Sequence, residues 1–113
     1  MNLQISGKNL ELTAALREYI EKKMASLSKY NEHIMDGKVT LEPAREGHAE
    51  AFRVTARLHL QHDDVFTEET RVNAYEAIDV VHNELERQLH DVKSKYEALQ
   101  RKAGVTKRNL KSI

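Results

Sequence analysis

The sequence predicts an α+β domain in the order β-α-β-β-β-α. Three observations carry that prediction. A long stretch, AFRVTARLHLQ, alternates apolar and polar residues with period two. Two other stretches carry apolar residues at helical spacing, one near each end of the chain. The 113 residues fit one domain, and a sheet with one wet face should carry both helices on its other face.

The elements follow in order. Leu3 and Ile5 alternate with polar neighbours in NLQISG, which predicts a first strand closed by Gly7. Thr13 is placed to cap a first helix. Leu16, Tyr19, Ile20, Leu27 and Tyr30 then form an apolar stripe along residues 14–30. Asp36-Gly37 reads as the exit from that helix. In KVTLEP, Val39 and Leu41 alternate before Pro43 stops the run, and AREGHA reads as a polar loop. The third strand directs Phe52, Val54, Ala56, Leu58 and Leu60 one way, and Arg53, Thr55, Arg57, His59 and Gln61 the other. His62-Asp63-Asp64 is a turn, and a fourth strand runs from Val65 to about Thr70.

Asn73 is placed to cap the last helix. Ile78, Leu85, Val92 and Leu99 recur every seven residues, with Tyr75, Leu89 and Tyr96 one turn away on the same face. A helix from Asn73 to Arg101 would be about 43 Å long, whereas a ten-residue strand covers about 33 Å. The helix should therefore overhang the sheet.

The formal net charge of zero conceals an asymmetry. Residues 1–100 hold all 18 acids but only 13 of the 18 bases; the last thirteen residues, RKAGVTKRNLKSI, hold five bases and no acid. We divide the chain into one domain, 1–100, and a flexible basic tail, 101–113. Such a tail is either solubilising or an arm for a polyanion. With no cysteine, disulfide and thiol chemistry are excluded and a cytoplasmic home is the simplest expectation. The start, MNLQISGKNLELT, predicts no signal peptide, and no apolar run is long enough to span a membrane.

Among candidate sites, Lys23 lies inside the apolar arc of the first helix, seven residues after Leu16 and four before Leu27. It either lays its stem along the core edge or meets an anion in the groove between the helices. The i,i+4 pairs Glu18–Lys22 and Arg17–Glu21 predict a solvated, charge-laced face for their neighbours, and Asp91–Lys95 and Arg87–Asp91 do the same on the last helix. Beyond Glu97 no acid remains. His82 fits a hydrogen-bonded histidine at the core boundary. His59, His62, Asp63 and Asp64 offer metal-ligand chemistry, but a turn holds all but the first. The adjacent pairs Asp63-Asp64 and Glu68-Glu69 lack the shaped, partly dry site that acid–base catalysis needs. No phosphate-cradling glycine loop and no serine nucleophile motif occurs. The chain therefore reads as a binding module and not an enzyme, with no cofactor, no metal and no small-molecule substrate. Pairing through the apolar stripe of the last helix, as a protein-interaction module, and a metal-dependent hydrolase at His59, His62 and Asp63 are the other readings.

The stretches LQISGKNLELTAALREYIEKKMASLSKY and NAYEAIDVVHNELERQL resemble the ribosome hibernation-promoting factor family, also called ribosome-associated translation inhibitors or sigma-54 modulation proteins. The resemblance covers about residues 2–97. Its most specific parts are Gly-x-Asn-x-x-x-Thr after the first strand, Leu-Arg-Glu-Tyr in helix one, and Tyr-x-Ala-Ile-Asp and Leu-x-Arg-Gln-Leu in helix two. It implies a fold similar to double-stranded-RNA-binding domains. It also implies binding to 16S rRNA in the messenger- and transfer-RNA channel of the 30S subunit, blocking translation sterically, with a helper hibernation factor as a further partner. The RNA-binding residues implied are Lys23 and Arg87, with Lys93 and Lys95 downstream and Lys22 and Lys29 on helix one; the charge of the basic end adds Arg101 and Lys102 as candidates for the same polyanion. Glu84 and Asp91 depart from the family, which often carries lysine there. Some members have a second, dimerising domain; this chain is too short for it and resembles the short class.

Overall fold

The computed structural model describes the backbone of residues 2–30 and 32–112, and the side chains of 2–30 and 32–99. Its elements are β1 (Asn2–Gly7), α1 (Ala14–Ala25), a 3-10 turn (Ser26–Tyr30), β2 (Ile34–Glu46), β3 (Ala49–Leu60), β4 (Asp64–Arg71) and α2 (Ala74–Ser112). The strands form one sheet in sequence order. β1 runs parallel to β2, whereas β2–β3 and β3–β4 are antiparallel hairpins. The parallel pair is possible because α1 carries the chain back between β1 and β2.

Local chemistry explains the boundaries. A Cβ on Gly7 would lie 2.4 Å from the Leu10 carbonyl oxygen, so only glycine allows that close return of the chain. Thr13 accepts the Leu16 amide at 3.1 Å through its hydroxyl and starts α1. The expected stripe over 14–30 is two structures: the α-helix ends at Ala25 and the chain tightens into the 3-10 turn. That turn places residues three apart on one side, so Leu27 and Tyr30 still face inward. Asn73 accepts the amides of Tyr75 and Glu76 at 2.9 and 3.3 Å and caps α2.

β2 differs from the sequence expectation. Asp36-Gly37 lies within it, directly after a register shift between Ile34 and Asp36. The bulge absorbs the residues that read as a turn. Pro43 does not end the strand either. β1 stops opposite Leu41, so from there β2 is an edge and a missing N–H costs no ladder bond. The segment read as a polar loop is mostly strand: Glu46 pairs with Ala49, leaving Gly47-His48 as a two-residue hairpin loop. Gly47 supplies its left-handed φ of 63°.

One face of the sheet is covered. Val39, Leu41, Val54, Ala56, Leu58, Leu60 and Val65 meet Ile20, Met24 and Leu27 from α1 and its turn, and Ala77, Ile78, Val81, Leu85 and Leu89 from α2. The opposite face has no helix. At 39 residues α2 is about 58 Å long, against about 40 Å for β3. Its last buried residue among the described side chains is Leu89; Val92 and Tyr96 are half-buried and Leu99 is exposed. The seven-residue stripe is therefore occupied by the protein's own sheet over Ile78–Leu89. The helix continues past Arg101, and the side chains of Arg101 and Lys102 lie outside the described residues.

Candidate functional site

The two helices lie side by side on the sheet, and Lys23, Lys29, Arg87 and Lys93 lie along the seam between them. At one end, Lys23 reaches across from α1 to α2. Its Nζ is 3.2 Å from Asp79 Oδ1 and 5.6 Å from the centre of the Tyr19 ring. The Tyr19 hydroxyl donates to the same carboxylate oxygen, and the Tyr19 and Tyr75 rings meet edge to face at 5.0 Å. Asp79 is held below the ordinary carboxylate range by the Tyr19 hydroxyl and then by Lys23. Lys23 and Tyr19 are both raised, each chiefly by its hydrogen bond to Asp79. Lys23 thus bridges the helices while its stem follows the core edge.

The seam continues through His82. Its Nε2 lies 2.6 Å from Ser26 Oγ, at the end of α1, and 3.7 Å from Glu86. This is the boundary histidine its position in the stripe predicts. Beyond it opens a groove of about 450 Å³, lined by Lys29, Tyr30, Asn83, Glu86, Arg87 and His90. Buried Tyr30 organises this groove. Lys29 Nζ lies 5.4 Å from its ring centre and Lys93 Nζ 6.0 Å from it. One aromatic ring thereby brings together a cation from each side of the seam.

The candidate cations fall into two groups. Arg87 is clamped by both oxygens of Glu84, at 2.6 and 3.1 Å, and by Asp91 at 3.1 Å. Glu84 is lowered by Arg87 and then by Gln88, and Arg87 is raised chiefly by Glu84. Lys23 has Asp79, and Lys29 has a loose contact of 3.7 Å with Glu86. By contrast, Lys22, Lys93 and Lys95 have no carboxylate within 4.0 Å among the described residues. Of these, Lys93 adjoins the groove, Lys95 follows it on α2, and Lys22 sits on the exposed side of α1.

The other candidate groups are structural in placement. His59 Nδ1 lies 2.7 Å from Asp64 Oδ1 across the β3–β4 hairpin, and Asp63 accepts the Asp64 amide at 2.9 Å. His62 lies instead against Tyr96, ring centres 6.3 Å apart. No group of three metal-ligating side chains forms among the described residues. Sequence reasoning missed Asp79 and Tyr30 as organisers. Asp79 stands in the Tyr-x-Ala-Ile-Asp motif, but its partner is 56 positions away and no local spacing pairs them.

Residues 3–97 match the family described as sigma 54 modulation protein / S30EA ribosomal protein. A ribosome hibernation promotion factor from Deinococcus radiodurans is 37% identical over 94 residues, covering 82% of this chain and 49% of that protein. The chain therefore spans about half the length of that relative. A ribosome hibernation promoting factor from Azotobacter vinelandii is 31% identical over 106 residues, covering 92% of each chain. Among solved structures, the N-terminal domain of Thermus thermophilus Protein Y is similar with a TM-score of 0.68 and 36% identity, over 79% of this chain and 96% of that one.

Proposed function

Because this chain belongs to the sigma 54 modulation protein / S30EA ribosomal protein family, we propose that it acts as a cytoplasmic ribosome hibernation factor. It binds the small ribosomal subunit, against 16S rRNA in the channel for messenger and transfer RNA. By occupying that channel it blocks translation, and no bond is made or broken.

The observation that supports this reading is the pairing of Lys29 and Lys93 around Tyr30, with exposed Lys95 two residues further along α2. Neither Lys93 nor Lys95 has a carboxylate within 4.0 Å among the described residues. Placed against rRNA, each releases counterions, and affinity follows from charge and shape without base readout. The bases of the last thirteen residues extend the same helix and add to the positive end. Among the named relatives, the Azotobacter protein has the matching length and carries hibernation in its name.

Co-sedimentation with purified 30S subunits across a salt series tests the proposal. Binding should weaken steeply as salt rises. The double variant Lys93→Glu/Lys95→Glu should lose about tenfold or more in affinity and show a shallower salt slope. Absence of co-sedimentation at low salt, or a double variant that binds like the parent, would overturn it.

A further inference from the structure

The face of the sheet that carries no helix holds an arrangement that the seam between the helices does not use. Lys38 on β2, Arg57 on β3 and Phe66 on β4 stand directly opposite one another across three strands. Two like charges in direct cross-strand register destabilise a sheet, and folding alone gives no reason to keep them. Of the neighbouring charges on this face, Arg53 reaches Glu42 and Glu68 at 3.4 and 3.5 Å and His59 has Asp64, while Asp36 lines the β1-side groove with no cation within 4.0 Å among the described residues. Lys38 and Arg57 have no carboxylate within 4.0 Å among the described residues. Phe66 is 46% exposed, with the Arg57 guanidinium 5.6 Å from its ring centre.

Two grooves meet at this pair. One, of about 230 Å³, runs over Lys38, Thr40, Thr55, Arg57 and Phe66. The other, of about 560 Å³, lies on the β1 side and shares Lys38 and Arg57. We propose that this open face binds single-stranded RNA, taking one phosphate between Lys38 and Arg57 and stacking one unpaired base on Phe66. The two cations supply the phosphate contact. The ring supplies a stacking platform that tolerates any base, and the Thr40 and Thr55 hydroxyls offer donors along the groove. An acidic peptide fits less well. Backbone pairing saturates β2 and β3 at this point, so a peptide gains no strand addition here, and a carboxylate has no use for the exposed ring.

The inference stands apart from ribosome binding, and its test uses no ribosomes. Fluorescence anisotropy of a labelled oligoadenylate of about six nucleotides is measured at low salt. Phe66→Ala, which changes no charge, should weaken binding about fivefold or more, and Phe66→Trp should retain it. Lys38→Glu should weaken binding about tenfold while raising the melting temperature, because it converts a like-charge pair with Arg57 into an opposite-charge one. A merely structural role would move both readouts together. Arg17→Glu, on the exposed side of α1 and away from the open sheet face, should stay within about twofold of the parent, since stacking on Phe66 does not involve it. The inference is overturned if the parent does not bind, if Phe66→Ala binds like the parent, or if Phe66→Trp binds as poorly as Phe66→Ala. It is equally overturned if oligoglutamate of the same length competes as well as unlabelled oligoadenylate, because the site then belongs to acidic peptides.

Discussion

The first and second halves of α2 share one helix and one seven-residue repeat, yet they live in different surroundings. From Ile78 to Leu89 the stripe is buried on the sheet, Tyr75 before it being exposed, and charges along its flank are paired: Asp79 with Lys23, and Glu84 with Arg87, which also reaches Asp91. From Lys93 to Leu99 the stripe surfaces. Leu99 is 55% exposed, and Lys93 and Lys95 have no carboxylate within reach among the described residues. The same apolar spacing is thus core in one half and surface in the other. What separates them is the reach of the sheet, which ends before the helix does. The half that holds the fold has used up its charges, and the half that projects still has charges to offer.

The sharpest way to break this contrast is to truncate one residue from each half. Leu85 is fully buried, so Leu85→Ala should cost about 2–5 kcal/mol in chemical denaturation. Leu99→Ala, at the same position of the repeat two heptads later, should stay within about 0.5 kcal/mol of the parent. Equal losses would mean that the second half is packed against something as firmly as the first.

A second test works on binding. Glu84 and Asp91 hold Arg87 and lower the charge of the seam. Replacing them together by Gln and Asn frees the guanidinium and removes two repelling carboxylates. If the seam faces rRNA, 30S affinity should rise about threefold to tenfold, most clearly at low salt, while stability changes little because these are exposed pairs. Unchanged or weaker co-sedimentation would place the RNA-facing surface elsewhere.

A smaller effect is expected where α2 begins. Asn73→Ala leaves the amides of Tyr75 and Glu76 without their side-chain acceptor and should cost about 1 kcal/mol in thermal or chemical unfolding. No change in 30S affinity should accompany it, because the cap lies about 30 Å along α2 from Lys93 and Lys95.

The fold was legible where local pattern and tertiary demand agree. The β3 alternation named the inward residues because one face is buried and the other wet, and the caps at Thr13 and Asn73 are local chemistry. It was misread where a local signal is overridden. Asp36-Gly37 looks like a turn but is carried by a bulge, and Pro43 looks like a stop but falls where β2 has lost its neighbour. The site was legible as a set of basic residues and not as a geometry. Arg87 and Asp91 could be paired by spacing; Lys23 and Asp79 could not, since the contact exists only after α1 and α2 dock. The Lys38–Arg57–Phe66 row needs the strand register, which alternation alone does not supply.

The smallest effect belongs to the Lys23–Asp79–Tyr19 cluster, and it is a pH effect. The folded-state pKa of Asp79 lies below its ordinary value of 3.8. The stabilisation this provides is complete above that ordinary value and is lost as the pH falls through the lower folded one. Asp79→Asn removes the titrating group but keeps a side chain of the same shape. The gap in stability between parent and variant should therefore be constant near neutrality and narrow as the pH drops below about 4. Both Lys23 and Asp79 are partly exposed, at 31% and 42%, so solvent screening keeps the gap small. Urea unfolding at a series of pH values measures it. A gap that persists unchanged at pH 3 would mean that the difference does not come from the ionisation of Asp79. Lys23 would then be a lysine held by packing, as free in energetic terms to meet a phosphate as Lys93 on the projecting half.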